Sequence, residues 1–178
     1  MTDSEYLDEE LQRLSTPPAA GAGPLSSDSF WKPIEKLFSK NAITVDVGDT
    51  VGTAIAKMRE TEYGAVLVTR KGKLAGLLTE RDLICHVVGV IDDFEAAKAG
   101  DVMRADPVSL RSSDPIVYVL HNMQAGGYRH VPIVDEEDRP VSVVSIKDVA
   151  RYILGHFPED VLNVTPEPYR GPPSREGA

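Results

Sequence analysis

Two stretches of this chain carry residue types suited to holding a small polar ligand. They are Gly76-Leu-Leu-Thr79-Glu-Arg-Asp82-Leu83 and Ser142-Val-Val-Ser145-Ile-Lys-Asp148-Val149. Both run small residue, apolar pair, hydroxyl, two variable positions, aspartate. A hydroxyl followed three positions later by an acid, just before an apolar run, is a helix-capping signature. Thr79 and Ser145 would each accept from a first-turn N–H, and Asp82 and Asp148 would reach back to the cap. The same residues admit a second use. Each stretch follows an apolar strand, so the hydroxyl and the acid fall where a strand ends and a helix begins. In mixed sheets that edge is a preferred ligand site, and a helix start offers free N–H groups to a phosphate. A carboxylate there can accept two hydrogen bonds from vicinal hydroxyls, the geometry of a ribose. Capping and ligand binding are compatible.

The two stretches end a longer duplication. Residues 37–83 and 102–149 align at a shift of 65 positions, which becomes 66 after one turn. Ile43-Thr44-Val45 matches Val108-Ser109-Leu110, Asp49 matches Asp114, Met58 matches Met123, and Asp82 matches Asp148. A repeat of this length is a duplicated supersecondary unit. Each copy reads as strand, helix, strand, strand, helix. Ile43 to Val45 is extended. Asp49 is the expected N-cap of a helix whose apolar face is Val51, Ala54, Ile55 and Met58. Ala65 to Thr69 and Leu74 to Leu78 are strands joined by a tight turn at Lys71-Gly72, and a second apolar helix runs from Asp82 to Val88. In the second copy Asp114-Pro115 reads as N-cap and first helical residue. Ile116, Val119, Leu120 and Met123 then form the helix face. Val131 to Val134 is a strand whose Pro132 points to an edge position or a bend. One such unit is too small to bury a core; two packed face to face about a pseudo-twofold axis are not. The expected class is α/β (α+β), with repeats at 30–90 and 91–157 between a flexible arm at 1–29 and a flexible tail at 158–178.

Composition narrows the function. A net charge of −9 argues against a nucleic-acid surface. No apolar run reaches transmembrane length, and the acidic N-terminus lacks a signal-peptide core, so a cytoplasmic protein without a membrane role is expected. The lone cysteine, Cys85, excludes an internal disulfide and reads as a small core hydrophobe. There is no P-loop, no dinucleotide glycine fingerprint and no histidine pair at metal-ligand spacing. His86, His121, His130 and His156 are scattered. The chain reads as a non-enzyme with no required cofactor and no metal.

The doubled pattern, with Asp101-Val-Met103 leading into the second copy and Tyr128-Arg-His-Val-Pro-Ile-Val134 within it, resembles a tandem pair of CBS domains, also called a Bateman module, over residues about 34–155. The resemblance implies adenine nucleosides or nucleotides bound in clefts between the halves; AMP, ADP, ATP, S-adenosylmethionine, NAD and cyclic dinucleotides are all used in the family, and AMP, ADP or ATP is the ligand expected here. It makes Asp82 and Asp148 ribose acceptors and places Thr79 and Ser145 on ribose or phosphate. Backbone near Ile43-Thr44 and Val108-Ser109 would read the adenine edge, and Ala65-Val66 and Val131-Pro132 would line the base pocket. Arg81, Arg129, His130 and Lys147 are basic groups at these clefts, suited to phosphate. The first cleft is thus expected to use Ile43, Thr44, Ala65, Val66, Thr79, Arg81 and Asp82. The second would use Val108, Ser109, Arg129, His130, Val131, Pro132, Ser145, Lys147 and Asp148. Gly64-Ala65 in place of Arg129-His130 makes the first phosphate environment poorer, so unequal sites are expected. The resemblance also implies a homodimer, expected here through the faces Val51–Met58 and Ile116–Met123. It implies a protein partner regulated in trans, with Tyr6 to Leu14 or Pro158 to Tyr169 as readout elements. A ligand-free interaction scaffold on the same fold is the alternative.

Overall fold

The computed structural model describes residues 25–37, 41–61 and 63–157. Ser26–Ala150 form one body, and the chain from Arg151 belongs to a second unit. The proposed readout segments at Tyr6 to Leu14 and Pro158 to Tyr169 lie outside the described residues. The first repeat is β1 (Thr44–Asp46), α1 (Val51–Thr61), β2 (Ala65–Arg70), β3 (Lys73–Thr79) and α2 (Glu80–His86). A single helical turn, α3 (Ala99–Val102), and a two-residue strand, β4 (Arg104–Ala105), follow. The second repeat is β5 (Leu110–Arg111), α4 (Ile116–Gly126), β6 (His130–Val134), β7 (Pro140–Ser145) and α5 (Ile146–Leu154). Both copies therefore have the expected order of elements, and the architecture is a mixed α/β pair.

The sheets run β1-β2-β3-β4 and β5-β6-β7. In each, the first strand is parallel to the second, which is antiparallel to the third. The β2–β3 turn is Lys71-Gly72, with φ of 55° and 78°, the left-handed pair a two-residue hairpin needs. Between the halves, Ala42 N–H donates to Val141 O at 2.9 Å and Leu74 N–H to Asp138 O at 2.9 Å. Val143 packs against a small cluster of Ala65, Leu67 and Leu77. The side of β2 that carries Ala65 and Leu67 thus serves the inter-half contact, while Val66 and Val68 face a separate core with Val45, Ala54, Met58 and Leu78. That division follows from the period of two along a strand.

The halves are also cross-braced. The arm before the first repeat docks on the second, and the linker before the second repeat docks on the first. Ile34 N–H donates to Asp114 O at 2.8 Å and Ile116 N–H to Lys32 O at 2.9 Å. At the equivalent positions, Ala99 N–H donates to Asp49 O at 2.8 Å and Val51 N–H to Ala97 O at 2.9 Å. Isolated bridges Pro33–Pro115 and Lys98–Thr50 repeat the symmetry. Each exchanged segment accepts from an N–H at the start of the other half's helix, groups that have no partner within the helix itself. This corrects the expected caps. The Asp49 carboxylate accepts from Asp46 N–H and the Asp114 carboxylate from Arg111 N–H, each at 2.8 Å, so both brace the preceding turn. The α1 cap is Thr50, whose hydroxyl accepts from Thr53 N–H at 3.0 Å, and the residue before α4 is Pro115.

Four further expectations are corrected. Ordered structure begins before residue 30, because Ser27–Trp31 form a 3-10 turn with Ser29 buried. Cys85 is exposed: the short α2 turns Asp82 inward and Ile84, Cys85 and His86 outward. β6 is central, so of the two readings of Pro132 the edge position fails, while the bend agrees with a ladder shift just beyond it; β5 reaches only Ile133 and Val134, so Pro132 has a paired neighbour on one side. The α1 and α4 faces assigned to a dimer contact are used inside the chain, with Val51, Ala54, Met58, Ile116, Val119 and Met123 all buried. Among the large apolar side chains left outward are Ile84 and Val88, at α2 and just past its end, and Tyr118 on α4. In the C-terminal unit, the His156 ring meets the Tyr152 ring edge-on at 4.9 Å. Among the described residues no helix is long and apolar enough to cross a membrane.

Candidate ligand cleft

The two hydroxyl–aspartate stretches fold into matching caps. The Asp82 carboxylate Oδ2 accepts from Thr79 N–H at 3.0 Å and from Thr79 Oγ1 at 2.6 Å, and Asp82 N–H returns to Thr79 Oγ1 at 3.3 Å. The Asp148 Oδ2 accepts from Ser145 N–H at 2.8 Å and Ser145 Oγ at 2.6 Å, with Asp148 N–H to Ser145 Oγ at 3.3 Å. The structural reading of the motif is therefore correct in both copies. It commits one oxygen of each carboxylate and points the acid at the strand end.

The surroundings of the two differ. Asp82 is 5% exposed, whereas Asp148 is half-buried. The second oxygen of Asp82, Oδ1, meets Arg104 Nη2 at 3.4 Å. Arg104 comes from β4, which pairs antiparallel to β3 through Gly76–Ala105 and Leu77–Arg104. A Cβ on Gly76 would lie 3.0 Å from Arg104 O and would strike the Met103 side chain, so glycine there lets β4 lie this close. Ser142 occupies the matching place in the second sheet.

Thr79, Glu80, Arg81, Gly64 and Leu77 of the first half line one depression together with Arg104 and with Gly127, Tyr128, Arg129 and His130. An adjoining depression is lined by Leu77, Arg104 to Val108, Tyr128 and His130. Residues expected in separate clefts thus meet: Thr79 and Arg81 share a wall with Arg129 and His130, and Val108 lies next door. Asp82 sits behind Thr79, reaching the cleft through Arg104. Ile43 borders the core of the first half, and the carbonyls of Ile43 and Thr44 accept from Leu67 N–H at 2.9 Å and Lys57 Nζ at 2.7 Å. Ala65, Val66, Val131 and Pro132 are buried strand residues that line neither depression. Ser145 and Asp148 form their own cap, Lys147 is exposed on the first turn of α5, and Ser109 is half-buried before β5. Arg104 carried no motif that sequence reasoning could find; only the pairing of β4 brings it to Asp82.

His130 lies within the field of both aspartates. Burial lowers its pKa from 6.5, Arg129 lowers it further, and Glu80, Asp148 and Asp82 oppose the shift. The folded protein therefore binds this proton less readily than the unfolded chain. The resulting stability is complete above pH 6.5 and is lost as pH falls below it. Urea unfolding from about pH 7.5 to about pH 5.5 should show a steeper loss in the wild type than in His130→Gln. Equal slopes would mean that other groups carry the acid sensitivity.

The family model for the CBS domain matches residues 34–91 and 99–155, the two repeats just described. The chain belongs to the CBS domain family. The CBS pair is 32% identical over 121 residues to an inosine-5'-monophosphate dehydrogenase of Methanocaldococcus jannaschii, covering 67% of this chain and 23% of that protein. The chain spans under a quarter of the first curated relatives it matches. Among solved structures, a CBS-domain-containing protein of Agrobacterium tumefaciens superposes with TM-score 0.60 at 27% identity, over 67% of this chain and 98% of that one. A CBS domain protein of Pyrobaculum aerophilum, complexed with AMP, superposes with TM-score 0.62 at 20% identity, over 68% and 95%, and shares the fold.

Proposed function

We propose that this CBS pair is an adenine-nucleotide-binding regulatory module rather than an enzyme. On this reading AMP, ADP or ATP enters the cleft between the halves, and a change in their relative angle is read by a protein partner in trans. The carrying observation is the composite wall, in which Thr79 and Arg81 of one half face Arg129 and His130 of the other, with Asp82 behind. A nucleotide seated there touches both halves, so it can favour one arrangement over another, which is the condition for shifting an equilibrium. The AMP complex of the Pyrobaculum aerophilum protein supports the ligand class at the level of the fold. A homodimer belongs to the proposal, with the outward Ile84, Val88 and Tyr118 as its apolar surface.

Thermal denaturation with added AMP, ADP and ATP tests the ligand. A ligand that binds only the folded state stabilises by about 2.7 kcal/mol at a hundred times its dissociation constant. A rise in the midpoint that saturates with concentration is expected. A folded protein that shows none would favour the ligand-free scaffold.

A further inference from the structure

The cleft is latched across its ribose-accepting acid. Both oxygens of Asp82 are engaged, Oδ2 by Thr79 and Oδ1 by Arg104. A ribose diol needs a carboxylate oxygen with open lone pairs, so on the reading above it competes with Arg104 for Oδ1. The same side chain borders two adjoining depressions. The two depressions have cavity volumes of about 70 Å³ and about 190 Å³, and Leu77, Arg104, Tyr128 and His130 line both. Typical small-molecule sites hold roughly 300–1,000 Å³, so each depression is small for a whole nucleotide.

Arg104 is held loosely. Its side chain is 45% exposed while that of Asp82 is 7%, so the guanidinium reaches in from the cleft mouth. At 3.4 Å the contact is long for a charge-assisted hydrogen bond. The walls bring Arg81, Arg104 and Arg129 together against the carboxylates of Glu80 and Asp82. Releasing Arg104 without an anion to receive it leaves its charge unneutralised beside Arg81 and Arg129.

We infer that Arg104 is a specificity latch. A ligand's ribose takes its place on Asp82 only when the same ligand carries a phosphate for Arg104 to pair with. The inference rests on the proposed nucleotide reading and sharpens it. The cleft selects phosphorylated nucleosides over adenosine, and it disfavours S-adenosylmethionine, whose sulfonium and ammonium outweigh its one carboxylate and add net positive charge among the arginines.

Isothermal titration of AMP, adenosine and S-adenosylmethionine into the wild type and into Arg104→Ala tests it, with melting curves confirming that the variant folds. The wild type should bind AMP at least about tenfold more tightly than adenosine, a difference of ~1.4 kcal/mol. In Arg104→Ala, AMP should weaken and adenosine should strengthen, so the ratio falls by about tenfold or more, the value of one charge-assisted hydrogen bond. Binding of adenosine by the variant alone would equally support the latch. An AMP-to-adenosine ratio unchanged by the substitution, or wild-type binding of S-adenosylmethionine as tight as that of AMP, would overturn the latch and leave the nucleotide site standing. Failure of all three compounds to bind either folded protein would overturn the site itself, and the latch with it.

Discussion

Asp82→Ala is expected to remove nucleotide binding from the cleft and to lower the melting temperature of the unliganded protein. The two effects have separate causes. Asp82 is the third residue of α2 and the acid of its capping box, and losing a cap costs about 1 kcal/mol. The buried Thr79 would keep its N–H and hydroxyl without their acceptor, at roughly 1–3 kcal/mol. These describe the same hydrogen bonds, so the cost is about 1–3 kcal/mol, or roughly 2–12 °C for a chain of this size. Ligand loss is larger. Two hydrogen bonds from a ribose to an ionised acceptor, at ~1.5–3 kcal/mol each, correspond to at least a hundredfold in affinity. Asp148→Ala deletes an equivalent cap on a half-buried acid, so it should cost less stability and leave affinity at the Thr79–Arg81 wall within about tenfold. Calorimetric melting with AMP titration on both variants checks the pair. Equal loss of binding in the two would show that the aspartates do not serve distinct places.

Ile34→Ala is expected to destabilise the second half although Ile34 precedes the first repeat's strands. Its side chain is 0% exposed, and its backbone is tied to Asp114. Truncating a fully buried isoleucine costs about 2–5 kcal/mol, roughly 5–20 °C here. The neighbouring Ile116 N–H, held by Lys32 O, should exchange with solvent faster, because the arm that protects it is loosened. Trp31→Ala on the same arm is the control. Trp31 is 61% exposed, so its loss should stay within about 0.5 kcal/mol. Urea unfolding of the two variants decides the matter. Similar stability for both would mean that the arm contributes nothing to the second half.

Much of the fold was legible because it is written in local terms. Val51, Ala54 and Met58 recur at helical spacing and are buried together, as are Ile116, Val119 and Met123. The run Ala65 to Thr69 and the Lys71-Gly72 turn make a hairpin from propensity and backbone sterics alone. The capping boxes at Thr79 and Ser145 need only a hydroxyl and an acid three residues apart, and they formed in both repeats. Local reasoning failed where a group's partner lay elsewhere in the chain. Asp49 and Asp114 had the right chemistry to cap a helix, but segments from the opposite half supply acceptors at the helix starts, and the acids turned back to their own loops. Cys85 sits in an apolar run, yet a helix this short can turn only one side toward its sheet.

The sequence by itself determined the duplication, the element order, the family and the two hydroxyl–aspartate pairs, since each depends on residues within a few positions or at a fixed repeat. The tertiary structure alone decided which residues share a wall. It set Arg129 and His130 against Thr79 and Arg81, and it laid a two-residue strand along β3 so that Arg104 reached Asp82. Those contacts join positions 22 to 51 residues apart through strand pairing and inter-half packing, and no spacing along a chain encodes a distance across a cleft.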